Sequence, residues 1–184
     1  LRRLARSATV LEVARGATVF RQGEPCAGLH LVVTGQIKLS VQNERGDEKV
    51  IELIGPGETL GEAPLLIGQP PNLNAEAIAD SRLLQIGREV VLGEMEHNIG
   101  LSGQLLAGVC RRLAGRPRAL GGCMVLSGPQ RVAGYLLSRL PDGVNGMPVS
   151  VMLPAKKSII ASRLNLTQEH FSRILHEIQG AGLI

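Results

Sequence analysis

Aromatic residues are almost missing from this sequence: they make up 2% of its 184 residues, with two Phe, one Tyr and no Trp. Proteins that bind single-stranded nucleic acid without sequence preference stack the bases on exposed aromatic rings. Too few rings are present here to build such a surface. The shortage therefore argues against that mode of nucleic-acid binding.

Cysteine is also scarce. The three cysteines, Cys26, Cys110 and Cys123, are odd in number and far apart in the chain. A disulfide framework or a structural zinc site needs cysteines at short, regular spacings. We therefore expect neither, we assign no metal site, and a reducing cytoplasm is the compartment that fits this cysteine content.

Long hydrophobic runs are absent as well. No apolar run reaches the length of about 18 residues that a membrane span needs, and the N-terminus has no signal-peptide pattern, so we expect no membrane partner and no export. Leu1 is not an initiator methionine, so we expect the native protein to begin earlier. The sequence also lacks a P-loop, a Gly-x-Gly-x-x-Gly after a strand, a Ser-His-Asp order and a metal-ligand cluster. No enzymatic activity is expected.

Positive charge is concentrated towards the end of the chain. The formal net charge is +4 and the isoelectric point is about 9.3, values that fit a nucleic-acid partner. Residues 131–184 hold six Lys and Arg against three Asp and Glu, whereas residues 1–90 hold ten against eleven. The C-terminal part is therefore the part expected to contact nucleic acid.

Two short amphipathic helices are predicted in this part, over Ala155–Leu164 and Gln168–Gln179, because apolar residues recur there every three or four positions. Between them, Asn165 tolerates a left-handed turn and Thr167 can cap the second helix through its hydroxyl. A turn this short sets two helices at a steep angle. The pattern therefore predicts a helix-turn-helix.

One face of the second helix carries a set of polar side chains. Glu169, Ser172 and Arg173 lie at i, i+3 and i+4, on the side opposite the apolar stripe. In a major groove Arg pairs with guanine, Glu accepts from cytosine and Ser bonds either partner. The alternative interpretation is that Glu169 stabilises the helix N-terminus and Arg173 is a solvated charge.

These residues also carry a family resemblance. Glu169-x-x-Ser172-Arg173, following Leu153 to Asn165, resembles the recognition helix of Crp/Fnr-type bacterial transcription regulators. The Ser-Arg ending is similar to the Fnr and Dnr branches, whereas the Crp branch usually has Arg-Glu-x-x-Gly-Arg. The resemblance implies a homodimer that reads a TTGAT-like inverted repeat in double-stranded DNA, with RNA polymerase as a further partner.

Predicted contacts to the DNA phosphates come from both helices. Lys156, Lys157 and Arg163 lie on or near the first helix, and Thr167 and Gln168 open the second. Such contacts add affinity without sequence information. Ordinary solvation explains any one of the three basic residues equally well.

Short strands are predicted before the helical part. They are rich in β-branched and aliphatic residues and are separated by turn signals at Thr18–Phe20, Leu29–Val33, Ile37–Val41, Val50–Ile54, Asn74–Ile78 and Arg82–Ile86. Regular antiparallel strands predict a sandwich or jelly roll. Phe20-Arg21-Gln22-Gly23, Leu29 to Leu39 and Gly57 to Glu62 resemble the cyclic-nucleotide-binding β-barrel of Crp/Fnr regulators. The predicted fold class is therefore α+β.

The resemblance implies an effector pocket at the barrel, with Gly61, Glu62 and Asn72 as its candidate residues. Cyclic-AMP binders of the family follow Gly-Glu, some ten residues later, with an Arg that holds the cyclic phosphate. The corresponding stretch here, Gln69 to Asn74, has no Arg or Lys, which argues against cyclic-AMP control. Glu62 is then a structural carboxylate or a ribose ligand.

Two other sensing chemistries follow from the Fnr and Dnr branches. The iron-sulfur cluster of Fnr needs four cysteine thiolates, three of them clustered, and this chain lacks that pattern. The Dnr branch is associated with haem-based sensing of nitric oxide, for which His97 is the weak candidate ligand. His30 falls in a predicted strand, and His170 and His176 lie in the second helix. The effector stays unknown.

A long helix is predicted from about Glu89, and the resemblance implies that it forms the dimer. Its apolar residues recur every seven positions, as at one core position of a coiled-coil heptad, and the second core position of each heptad lies between them. The predicted interface residues are Ile99, Leu106, Val109, Leu113 and Leu120. The alternative is a helix packed on its own barrel. Pro117 is expected to kink the helix.

Three further segments complete the prediction. A helix is expected over Pro129–Leu140 and a short strand over Val149–Leu153, and the family's small β-hairpin wing falls after Ile184. We predict an effector-sensing β-barrel over 1–92, a dimerisation helix over 93–126 and a helix-turn-helix DNA-binding domain over 127–184, without the wing.

Overall fold

The computed structural model describes residues 2–43, 45–110, 113, 126–140 and 149–184. It divides into two units, Leu1–Leu113 and Ala114–Ile184. The strands of the first unit are β1 Thr9–Val13, β2 Thr18–Phe20, β3 Gly28–Thr34, β4 Ile37–Gln42, β5 Glu48–Ile54, β6 Thr59–Leu60, β7 Asn74–Ala77 and β8 Ser81–Gly87. Its helices are α1 Arg2–Ser7, α2 Glu62–Ile67, α3 Arg88–His97 and α4, described over residues 99–110 and at 113. All six strands predicted in this unit are confirmed, whereas β1 and β6 were not predicted.

The strands form two antiparallel four-stranded sheets, in the orders β1-β8-β3-β6 and β2-β7-β4-β5. The predicted jelly roll is confirmed. Among the described residues, however, the hydrogen-bond ladders do not run on from one sheet to the other, so the barrel is two facing sheets and not one closed cylinder.

The main core of the first unit lies between the two sheets. Both sheets contribute fully buried apolar side chains to it: Val32, Leu60 and Leu83 from one, and Ile37, Leu39, Ile54, Ala75 and Ala77 from the other. Because successive side chains of a strand alternate between faces, His30 and Val32 of β3 share one face while Leu29 lies on the other. Leu29 belongs to a separate cluster with helical residues.

That separate cluster covers the outer face of the first sheet. Its buried members are Leu4 of α1, Leu29 of β3, Leu65 of α2, Val91 of α3 and Leu105 of α4. The sheet is therefore buried on both sides, which explains why β3 is apolar along most of its length.

Three helices make up the described part of the second unit: α5 Gly128–Leu137, α6 Lys157–Arg163 and α7 Gln168–Gly180. They confirm the three helices predicted in this part of the chain, with α6 beginning two residues later than expected. The cap of α5 is reciprocal, since Ser127 and Gln130 each bond the other's backbone N–H. Val132, Tyr135, Ile160, Ala161, Phe171 and Ile174 form the buried core.

The predicted strand over Val149–Leu153 is wrong, because these residues are irregular. A strand needs a neighbouring strand to satisfy its backbone groups, and none of the described residues of this unit provides one. Leu153 packs instead against the helical core. Among the described helices, none has both the length and the apolar content needed to cross a bilayer.

Candidate functional site

The turn between α6 and α7 closes in a Schellman motif. Asn165 adopts the left-handed conformation, with φ of 57°. The N–H of Leu166 donates to the carbonyl of Ala161 over 2.9 Å, and the N–H of Asn165 donates to the carbonyl of Ser162 over 3.1 Å. Both bonds satisfy carbonyl groups at the end of α6 that have no hydrogen-bond partner within the helix. The left-handed turn predicted at Asn165 is confirmed.

The start of α7 is fixed by its cap and by its core contacts. The Thr167 hydroxyl accepts from the N–H of His170 over 3.2 Å, as the sequence predicted. Phe171 and Ile174 are buried against α5 and α6. A Cβ at Gly128 would lie 3.1 Å from Ile174 and 3.4 Å from the His170 ring, so the start of α5 packs closely on α7. His170 therefore points to α5 and away from the opposite, polar face of α7.

The opposite face of α7 holds the three predicted base-reading residues. Glu169 and Arg173 are exposed, and Ser172 is half-buried. Within the part of the chain that the structure describes, no hydrogen bond or ion pair engages the Ser172 hydroxyl or the Arg173 guanidinium. The structure thus brings the three side chains onto one accessible surface, with two of them free to meet an outside partner.

Glu169 has a second role at the helix end. Its own backbone N–H and the Thr167 hydroxyl both bond its carboxylate and lower its pKa. The interpretation of Glu169 as a stabiliser of the helix N-terminus is therefore supported. A carboxylate offers about four acceptor positions, so these two bonds leave others available for a base.

The predicted phosphate contacts surround this face. Lys156 occupies the N-cap position of α6 and Lys157 is its first residue, both exposed, whereas Arg163 ends α6 and is half-buried. Thr167 and Gln168 are exposed at the start of α7. An open groove of about 400 Å³ separates the start of α6 from α7, and its lining residues are Lys157, Ser172, Leu175, His176, Gln179 and Ile184. Lys157 therefore lies beside the polar face of α7, which the sequence alone did not indicate.

The predicted effector-site residues lie in the first unit but are not all brought together. Gly61 is left-handed at the start of α2, and a Cβ there would lie 2.6 Å from the Gly28 carbonyl oxygen. Glu62 is 4% exposed and accepts a hydrogen bond from the Thr59 hydroxyl. Asn72 is exposed, and no contact given by the structure joins it to Glu62. The geometry supports Glu62 as a structural carboxylate.

Two residues beside Gly61 were not singled out as site residues from the sequence. His30 is 2% exposed, and its Nδ1 has no hydrogen-bond partner among the described residues. Burial lowers the pKa of His30, and this effect is opposed by the Gly28 backbone and the Glu62 carboxylate. Burial likewise raises the pKa of Cys26, whose Sγ donates to the Gly28 carbonyl over 3.3 Å. The sequence placed His30 in a strand but indicated neither its burial nor its neighbours.

The candidate haem ligand, His97, is exposed at the end of α3, with its Nδ1 2.9 Å from the Gly93 carbonyl oxygen. Across the described ranges, no group of three or more His, Cys, Asp and Glu residues is placed to hold a metal ion.

Helix α4 has two apolar faces. One packs on its own unit through Leu105, which is buried. The other is open: Ile99 is 88% exposed, Leu106 63% and Leu113 54%, while Val109 is half-buried. The helix therefore packs on its own unit through one face, while the predicted interface residues Ile99, Leu106 and Leu113 lie on the open face. Leu120 and Pro117 lie outside the described residues.

Comparisons with known proteins agree with this arrangement. A cyclic nucleotide-binding domain model matches residues 10–98, and a Crp-like helix-turn-helix domain model matches residues 130–184. The cyclic AMP receptor protein of Thermus thermophilus is 28% identical over 92% of this chain and 76% of its own length. The structure of FixK2 from Bradyrhizobium japonicum has a TM-score of 0.82 at 25% identity, covering 95% of this chain and 86% of that one. A regulatory protein from Silicibacter pomeroyi is 30% identical, with a TM-score of 0.64 over 97% of this chain and 79% of that one.

Proposed function

This chain belongs to the Crp/Fnr family of transcription regulators, and on that premise we propose that it acts as a homodimer whose two α7 helices read an inverted repeat in double-stranded DNA. Residues 1–92 serve as the effector-sensing unit, 93–126 as the dimerisation helix and 127–184 as the DNA-binding domain. The observation that carries the proposal is the accessible face formed by Glu169, Ser172 and Arg173 on a helix fixed by its turn and cap.

Each of the three residues has a matching base. The Arg173 guanidinium pairs with guanine, the Glu169 carboxylate accepts from the amino group of cytosine, and the Ser172 hydroxyl bonds either partner. A G·C pair would satisfy both charged residues, which is compatible with a TTGAT-like half-site. Lys156, Lys157, Arg163 and Thr167 contact phosphates and hold the helix in register.

The open face of α4 supports the dimer. Ile99, Leu106 and Leu113 are spaced by seven residues and are all exposed, although α4 already has a separate apolar face on its own unit. Exposed apolar residues at heptad spacing form half of the seam of a two-stranded coiled coil. Pairing two copies along this seam gives the two-fold symmetry that an inverted repeat requires.

Enrichment of DNA from a random pool by the full chain tests this proposal. We expect an inverted repeat whose half-site centres are about 10 base pairs, or roughly 34 Å, apart. A single asymmetric site, or no enriched sequence, would refute the dimeric reading mode. Contact with RNA polymerase at such sites is proposed from the family alone.

For the effector, we propose a ligand other than a cyclic nucleotide. Relatives such as the Thermus protein are named as cyclic AMP receptors. A buried cyclic phosphate needs a permanently charged, bidentate partner, and residues 69–74 of this chain contain no Arg or Lys. Calorimetry with cyclic AMP and cyclic GMP is expected to show no binding. Binding of either nucleotide would contradict this proposal and would make Glu62 a ribose ligand.

The described residues do not fit a haem or an iron-sulfur cluster. His97 is exposed on the helix surface, and the His30 ring is 2% exposed, with Gly61 close to its Nδ1. Cys26 lies half-buried in the loop before β3, whereas Cys110 is exposed in α4. We assign no step to either group. An absorption spectrum of the anaerobically purified, haem-supplemented protein is expected to show no Soret band, and a band that shifts with nitric oxide would overturn this assignment.

Control of DNA binding then follows from a population shift. A ligand that binds one packing of the two α4 helices better than another changes the fraction of dimers whose α7 helices match successive major grooves. The size of the effect is limited by the difference in ligand affinity between the two packings.

A further inference from the structure

We propose that Cys26 and His30 form a binding site for one soft metal ion, and that Cu(I) is the ion that fits their chemistry. Cys26 lies in the loop before β3, and His30 lies within that strand. The inference rests on the proposed function in one respect, because it names the class of effector that the sensing unit recognises. Binding of the ion itself does not depend on DNA.

The thiol and the imidazole converge beside Gly61. A Cβ at Gly61 would lie 3.4 Å from the Cys26 Sγ and 3.6 Å from the His30 Nδ1, so both atoms lie close to the same point of the backbone. The same Cβ would lie 2.6 Å from the carbonyl oxygen of Gly28. The approach therefore requires a residue without a side chain at position 61. It places one sulfur and one nitrogen donor at a single location in the fold.

The His30 ring supplies the nitrogen donor. Its side chain is 2% exposed, and its Nδ1 has no hydrogen-bond partner among the described residues. A buried polar atom without a partner is rare, because it has lost its bonds to water and gained none in return. Burial lowers the pKa of His30, so the ring is neutral at neutral pH. With the proton on Nε2, the Nδ1 lone pair is available to an ion.

The Cys26 thiol supplies the sulfur donor. It is half-buried, and its Sγ donates to the Gly28 carbonyl oxygen over 3.3 Å, a weak bond for a thiol. Burial raises the pKa of Cys26, so the thiol carries its proton at neutral pH. Binding of the ion breaks the S–H bond, releases the proton to solvent and leaves the thiolate as the ligand. No electron is transferred in this step.

The number and type of these ligands select the ion. A structural zinc ion needs four ligands, and across the described ranges no group of three or more His, Cys, Asp and Glu residues is placed to hold a metal ion. Glu62, which follows Gly61, accepts a hydrogen bond from the Thr59 hydroxyl. Thiolate ligands select Cu(I), which forms stable complexes with only two ligands. One thiolate and one imidazole therefore suit Cu(I) and leave Zn²⁺ with too few ligands.

The location of the site connects it to α4. Gly61 occupies the N-cap position of α2, and Leu65 of α2 is buried in the same cluster as Leu105 of α4. An ion that draws the sulfur and the nitrogen together changes the space beside Gly61 and displaces the start of α2. We therefore expect the ion to change the packing of α4, as the proposed population shift requires.

The binding test is titration of the reduced, metal-free full chain with Cu(I) under anaerobic conditions, in competition with a chromophoric chelator. We expect one bound ion per chain, with an affinity that rises about tenfold per pH unit because one proton is released. Cys26→Ser and His30→Gln are each expected to weaken binding by more than about 100-fold, the upper range for loss of an outer-shell partner. Retention of the site by either variant, or equal affinity for Zn²⁺, would overturn the inference.

Cys110→Ser is the matched control, because it removes an exposed thiol that belongs to α4. It is expected to bind Cu(I) as the wild-type protein does. X-ray absorption at the copper edge is expected to show one sulfur neighbour and the pattern of one imidazole. Two sulfur neighbours would assign the ion to other cysteines and would also overturn the inference.

The effector role is tested by DNA binding. Cu(I) is expected to change the affinity of the wild-type protein and of Cys110→Ser for the enriched inverted repeat by about 5- to 150-fold, the usual range of coupling between sites. Cys26→Ser is expected to bind the repeat, which shows that it is folded, and not to respond to Cu(I). An unchanged affinity in the wild-type protein would overturn the effector role. Failure of the proposed function looks different, because no inverted repeat would then be bound with or without the ion.

Discussion

The backbone N–H of Leu166 lies 2.9 Å from the carbonyl oxygen of Ala161, and this bond fixes the direction in which the chain leaves α6 and enters α7. It forms only because Asn165, between the two residues, turns into the left-handed region. The orientation of the reading helix therefore depends on the backbone conformation of one residue.

Replacing Asn165 tests this dependence. The left-handed conformation costs most residues roughly 1–2 kcal/mol, Asn less, and Gly essentially nothing. We expect Asn165→Val to lower the free energy of unfolding by about 1 kcal/mol or more and Asn165→Gly to leave it nearly unchanged. Urea unfolding of the full chain followed by circular dichroism measures both. Equal destabilisation by the two variants would mean that the free energy of unfolding depends on the Asn165 side chain and not on the left-handed turn.

The dimer seam gives a second prediction. Leu106→Glu places a charge in the middle of the exposed face of α4, and two such charges would meet in the paired helices. We expect the variant to be monomeric at concentrations where the wild-type protein is dimeric, as measured by analytical ultracentrifugation.

Ile67→Glu is the control for that experiment, because Ile67 is similarly exposed, at 64%, but belongs to α2 and not to the proposed seam. It is expected to remain a dimer. If Leu106→Glu is also dimeric, the two chains pair through some other surface.

The buried His30 predicts a loss of stability in mild acid. Burial lowers the folded-state pKa of His30 below its ordinary value of 6.5, so the unfolded chain binds a proton first as the pH falls. The free energy of unfolding is therefore expected to be highest above pH 6.5, to fall below it, and to level off once the folded-state pKa is passed. Urea unfolding at a series of pH values measures this profile.

Two variants distinguish the protonation of His30 from other causes of the loss of stability in acid. His30→Leu removes the titrating ring from the core and is expected to flatten the profile between pH 7.5 and 5. His97→Leu, which makes the same replacement at an exposed histidine, is the matched control. A profile that persists in His30→Leu would assign the acid sensitivity to another group.

Local signals made the helix-turn-helix predictable. Each signal acts within a few residues of the chain and agrees with its residue type. Phe171 is buried in the apolar stripe, Asn165 adopts the left-handed turn, and the Thr167 hydroxyl caps α7. The face with Glu169 and Arg173 followed from helical spacing alone.

What the sequence could not predict depends on distant partners. Strand β6 is two residues long and exists because Leu60 pairs with His30 across the sheet. The strand expected at Val149 does not form, because no strand among the described residues lies beside it as a partner. The approach of Gly61 to Gly28 and the groove that places Lys157 beside Ser172 likewise join residues far apart in the chain.

The central claim is that Arg173 reads a base, and competition binding across all single-base changes of the enriched site tests it most directly. Arg173→Ala is expected to lose about 1–3 kcal/mol of discrimination at one G·C pair and to keep its preferences elsewhere. Lys157→Ala, as the phosphate-contact control, is expected to weaken binding to every sequence alike and to reduce the slope of log affinity against log salt by about 0.9. If Arg173→Ala instead weakens all sequences equally, as Lys157→Ala does, then Arg173 contacts the backbone and the base-reading account is wrong.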